Sequence, residues 1–119
     1  AALLTTLVLL PNSKAVLKCW IGIEGNAAKM DKVAVTLKDC DAAATHCITF
    51  RGADKESAQR GCSSAYPTLT CPTDDHCADA TINFMKGATP TPVAGNYCCC
   101  KGDQCNPKRE CKFEVYGDA

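Results

Sequence analysis

Three adjacent cysteines, Cys98-Cys99-Cys100, sit inside the run Tyr97-Cys98-Cys99-Cys100-Lys101-Gly102-Asp103-Gln104-Cys105-Asn106. Cysteines packed this closely imply disulfides that radiate from one small knot to several distant parts of the chain. A chain stapled in this way folds as a thin, cross-linked scaffold. The chain holds 11 cysteines in 119 residues, about 9 per cent, the range in which a short secreted chain is read as a disulfide framework. Glutathione would keep such thiols reduced in the cytosol, so the expected compartment is the oxidising secretory route.

The ends agree with secretion. Residues Leu3 to Leu10 are a short apolar run followed by Pro11-Asn12-Ser13-Lys14-Ala15. This reads as a signal-peptide remnant over 1–15, with small residues at Ser13 and Ala15 before the cleavage point. The expected mature domain is 16–106, and 107–119 is a polar C-terminal extension. Nothing from Val16 onward approaches the roughly 20 apolar residues of a membrane span. Lys plus Arg and Asp plus Glu both number 13, so no net charge draws the chain to nucleic acid or anionic membranes.

Short alternating runs organise the interior. Leu17, Cys19, Ile21 and Ile23 share one parity, as do Val33, Val35 and Leu37. Period two predicts half-buried strands. The segment 25–32, opened by Gly25-Asn26, predicts a hairpin loop. Cys47-Ile48-Thr49-Phe50-Arg51 and Gln59-Arg60-Gly61-Cys62 predict a second pair, with 52–57 as the turn. Thr81–Phe84 and Val93–Tyr97 predict a third pair. The segment 85–92 between them is loop or edge, because Pro90 and Pro92 have no amide to give to a ladder. The reading is a small, all-β, disulfide-rich domain of three hairpins leaving a cysteine-rich base.

This cysteine pattern resembles the three-finger superfamily of lymphocyte antigen-6 and urokinase-receptor domains and snake neurotoxins. Within it, the chain is most similar to the nematode secreted ET module. The resemblance rests on Leu17-Lys18-Cys19-Trp20, Cys40-x6-Cys47-Ile48-Thr49-Phe50, Arg60-Gly61-Cys62 and Cys99-Cys100-x4-Cys105-Asn106. It implies a three-finger fold with Cys19 joined to Cys47, Cys40 to Cys62 and Cys100 to Cys105. Either Cys71 or Cys77 would join Cys99, and the other would take the additional Cys98. The family's usual cysteine shortly after the first is missing, since Ile21-Gly22-Ile23 follows Trp20. Cys111 makes the count odd, and a disulfide between molecules through it is one outcome. The resemblance gives Asn106 a structural role at the base and Trp20 a packing role on the sheet.

The chemistry present points away from catalysis. Cys99-Cys100 lacks the following His-Asp of a secreted phospholipase, so the general base is missing. His46 and His76 do not stand in paired zinc-ligand spacing, and cysteines in disulfides are no thiolate ligands. Asp74, Asp75 and Asp79 lack the alternating spacing of a calcium loop. No catalytic group, metal or cofactor is expected.

Binding through the loops remains, with an extracellular protein or cell-surface receptor as partner. The candidate contact residues are Arg51, Asp54, Lys55, Glu56 and Arg60 in the second hairpin and Phe84, Met85 and Lys86 in the third. Arg51, Arg60 and Phe84 lead, because arginines and aromatics dominate interface energetics. The competing expectations are a structural or carrier protein of extracellular material, and a small disulfide-stabilised hydrolase.

Overall fold

The computed structural model describes residues 16–106. The expectations for the signal segment, for Cys111 and for the C-terminal extension lie outside the described residues. Six strands form one antiparallel sheet: β1 (Lys18–Glu24), β2 (Val33–Asp39), β3 (Cys47–Gly52), β4 (Ala58–Cys62), β5 (His76–Lys86) and β6 (Thr89–Cys100). Their spatial order is β2-β1-β4-β3-β6-β5. Consecutive strands pair as three hairpins, joined side by side through β1–β4 and β3–β6. One 3-10 turn, Ser63–Ala65, follows β4, and no α-helix occurs among the described residues.

Ten cysteines form five disulfides: Cys19–Cys47, Cys40–Cys62, Cys71–Cys99, Cys77–Cys98 and Cys100–Cys105. Cys71 and Cys77, left open by the resemblance, thus go to Cys99 and Cys98 respectively. Cys19, Cys40, Cys47 and Cys62 make a buried cluster of their own, and Sγ of Cys40 lies 3.3 Å from Sγ of Cys19. Their sulfurs are consumed in bonds to one another, which removes the thiolates a metal would need.

The main core lies on one face of the sheet. Ile48, Phe50, Phe84, Tyr97 and Cys99 line it from the strands, and Met30 and Leu69 cover it from loops. The Phe50 and Phe84 rings sit 6.0 Å apart in a tilted arrangement, a favoured geometry for aromatic pairs. Tyr66 closes one side and donates its hydroxyl to Gln59 Oε1 at 2.8 Å. Burial pushes its phenol up to about 12. Side chains alternate across a strand, so Thr49, Arg51, Asn96 and Asp79 stand on the opposite face.

Two features depart from the simple alternation. Residues Val33 and Leu37 are exposed, at 48% and 37%, rather than half-buried. β2 is an edge strand, and its pairing with β1 slips from Ile21↔Thr36 to Ile23↔Val33. One β1 residue there opposes two of β2, a bulge that breaks the shared face of equal-parity residues. In the third hairpin, strand continues through both prolines to a two-residue turn, Gly87-Ala88. Gly87 has φ +61°, which a II′ turn asks of its first central residue. Pro90 faces Met85 and Pro92 faces Asn83, alternate rungs where the partner strand needs no donor from them. β3 reaches only to Gly95, so this stretch of β6 is edge on its other side.

Where β3 and β6 meet at Gly52↔Gly95, the backbones nearly touch. A Cβ on Gly95 would fall 2.1 Å from Arg51 O and 2.8 Å from Gly52 Cα. Only glycine permits this approach, which brings the second and third hairpins into one sheet.

Candidate binding surface

The turn of the second hairpin is held by a single carboxylate. Asp54 Oδ1 accepts the amides of Glu56 and Ser57 at 3.0 and 2.9 Å, and Oδ2 accepts the Ser57 hydroxyl at 2.5 Å. Gly52 N–H donates to Ser57 O at 2.7 Å and Lys55 N–H to Gly52 O at 3.0 Å. Lys55 takes φ +67° within this turn. Partial burial pushes the Asp54 carboxyl up, but the hydrogen bonds from Ser57 and Glu56, with the Lys29 charge nearby, outweigh it and hold the carboxyl below its ordinary value.

A depressed carboxyl stabilises the folded turn above its unfolded value and loses that contribution as pH falls through the folded one. The Glu56 and Ser57 amide resonances should therefore titrate together with a midpoint below 3.8, the unperturbed value. A midpoint at or above it would show that the carboxylate does not organise the turn.

The first hairpin's loop is tied to the third hairpin's tip. Asp31 N–H donates to Met85 O at 2.7 Å, Gly87 N–H donates to Asp31 Oδ2 at 2.7 Å, and Lys86 Nζ reaches Ala27 O at 2.9 Å. Between these contacts the loop folds over on itself, with Lys29 and Met30 amides on Asn26 O and the Ala28 amide on Asn26 Oδ1. Met30, 2% exposed, is thereby driven into the core. The first loop and the third hairpin's tip are thus bonded to one another at the end of the sheet opposite the disulfide cluster, while the second hairpin's turn is bonded within itself and, through Ala53 N–H to Ala94 O at 2.8 Å, to β6.

The expected contact residues divide. Asp54, Lys55, Glu56, Met85 and Lys86 are exposed at this end. Arg51, Arg60 and Phe84 are not: they are 2%, 1% and 0% exposed. Phe84 belongs to the core face of β5, packed on Phe50. Arg60 stands opposite Gly22 and pairs with Glu24 across β1–β4, Nη1 to Oε1 at 2.6 Å. Arg51 lies within β3 opposite Asn96. All three are strand positions, where neighbouring strands take up the side chain before a partner can. The leading expectation for the contact surface is corrected accordingly.

At the other end, Asn106 is 1% exposed. Its Oδ1 accepts Trp20 N–H at 2.9 Å, and its Nδ2 donates to Trp20 O at 2.8 Å and Ile48 O at 3.2 Å. Trp20 itself is half-buried and opposite Leu37. His46 is buried, with Nδ1 2.8 Å from Thr45 Oγ1 and Nε2 3.4 Å from Asp74 Oδ1.

Sequence reasoning missed Met30 and Asp31, which join the first loop to the third. The only signal was an apolar Met in an otherwise polar loop. Comparison of the chain with protein-family models, with curated proteins and with solved structures returns no match.

Proposed function

We propose that the chain is a secreted three-finger protein without enzymatic activity, which binds an extracellular protein or cell-surface receptor through the joined tips of its hairpins. Three consecutive hairpins over a base of stacked disulfides support the three-finger reading, and five disulfides favour the secretory compartment. The observation that carries the binding reading is the bonding of Asp31 to Met85 and Gly87. It orders the loops before any encounter, so association forfeits less conformational entropy. Loops on a cross-linked scaffold are also where recognition residues concentrate.

The test is a screen of displayed extracellular proteins with the wild-type chain, followed by the triple substitution Lys55→Ser, Glu56→Ser and Met85→Ser. These side chains are exposed and outside the core. Affinity for a captured partner should fall by about tenfold or more with the circular dichroism spectrum unchanged. Capture that is indifferent to the substitutions, or a screen that yields no partner, overturns the tip as the recognition surface.

A further inference from the structure

The bridge Cys77–Cys98 differs from the other four in exposure and in what it holds. Cys19–Cys47 and Cys40–Cys62 are buried at both ends, Cys71–Cys99 has a buried Cys99, and Cys100–Cys105 is half-buried at both. Among the five, only Cys77–Cys98 contains an exposed cysteine, Cys77, beside a half-buried Cys98.

Cys77 and Cys98 also face one another directly in β5–β6, a ladder of eleven rungs. The bridge is nested just inside Cys71–Cys99, which independently ties the same two ends. Opening it therefore leaves the hairpin paired and its base closed.

On the same face, two rungs along, Asp79 stands opposite Asn96, and Thr81 opposite Ala94 after that. Asn96 Nδ2 donates to Asp79 Oδ1 at 2.9 Å, while its Oδ1 lies 3.9 Å from Cys98 Sγ. Arg51, Asp79, Thr81 and Asn96, with the small residues Ala94 and Gly95, line an open depression of about 480 Å3. Arg51 is buried in its floor, and Asn96 is the lining residue that stands beside the disulfide.

We propose that Cys77–Cys98 is a thiol-exchange site that takes a peptide thiol seated in this depression. The incoming thiolate attacks the sulfur of Cys77, the exposed residue of the pair, forming a mixed disulfide at Cys77 and breaking the bond to Cys98. Cys98 leaves as a thiolate and takes up the proton that the incoming thiol gave to solvent. A second thiolate attacking the substrate sulfur of the mixed disulfide releases a disulfide of two substrate molecules and leaves Cys77 reduced. Exposed disulfides are the labile class, and access to the attacked sulfur governs the rate.

The test uses the full chain with reduced glutathione as the probe, acid quenching, alkylation and mass-spectrometric mapping. The expected first product carries glutathione on Cys77 and a free thiol on Cys98. It should form roughly tenfold faster than opening of any other bridge, with the strand spectrum retained. Thr81→Trp, which fills the depression, should slow glutathione exchange while leaving exchange with the small thiol 2-mercaptoethanol nearly unchanged. First opening of Cys100–Cys105, or an adduct at Cys77 only once the strand signal is lost, overturns the site. Equal slowing of both thiols by Thr81→Trp overturns the role of the depression. Each measurement is made on wild-type or single-variant protein, so the result does not depend on a cysteine-free variant folding.

Discussion

Replacing Cys19 and Cys47 together by alanine is expected to leave the chain largely unfolded. The bridge closes a separation of 28 residues, for which chain entropy alone predicts about 3 to 4 kcal/mol. Both cysteines are fully buried, and the bridge packs directly on Cys40–Cys62. The alanines would therefore also open a void at the junction of the first two hairpins. Net stability of a small domain is about 5 to 15 kcal/mol, and a thin sheet of this size belongs toward the lower end of that range. The check is a denaturant titration followed by far-ultraviolet circular dichroism. The Cys19/Cys47 variant should show little or no folded baseline. The double variant Cys77→Ser with Cys98→Ser should unfold cooperatively, with a smaller loss, because Cys71–Cys99 still encloses its loop. Equal losses in the two variants would refute a base-centred distribution of stability.

The second large effect is expected at Asn106. Its amide serves three backbone groups, on two strands, from within a site closed to water. Asn106→Ala would remove its hydrogen bonds to Trp20 N–H, Trp20 O and Ile48 O. A lost intramolecular hydrogen bond costs about 0.5 to 1.5 kcal/mol, and more where a buried group is left unmatched, so a loss of roughly 2 to 4 kcal/mol is expected for the three together. Asn106→Asp separates hydrogen bonding from shape. An ionised carboxylate presents acceptors to two carbonyl oxygens, whereas a protonated one can donate to one of them. Burial and those carbonyls would raise its pKa in the folded state. Its contribution is then most favourable below the unfolded value of about 3.9, and is lost as pH rises through the folded one. The Asp variant should thus come closest to wild type in acid and fall away toward neutral pH. A constant deficit between the two at all pH values would mean that Asn106 acts by packing alone.

Much of the architecture is legible in residue order because it depends on local rules. Strand positions around Cys19, Ile48 and Tyr97 follow from period-two alternation, and the turns at Gly25-Asn26 and 52–57 from residues that favour them. Pro90 and Pro92 exclude a central strand for this stretch. That they continue an edge strand, instead of forming a loop, depends on which strand lies beside them and on which rungs they fall. Arg51, Arg60 and Phe84 read as contact residues by type, yet each is buried. Residue type records what a side chain can do at a surface, whereas burial depends on which neighbour the register supplies. Gly22 opposite Arg60 and Asn96 opposite Arg51 are facts of pairing between distant segments.

The cysteine triplet and the Asn after the last cysteine determined by themselves that this chain is a disulfide-stapled β domain with its cross-links gathered at one end, since covalent staples and alternating strands are properties of spacing. Only the tertiary structure decided that Asp31 clips the first loop to the third hairpin and that Cys77–Cys98 is the bridge left open to solvent. Those depend on contacts between segments far apart in sequence, which form only after strand register has brought them together.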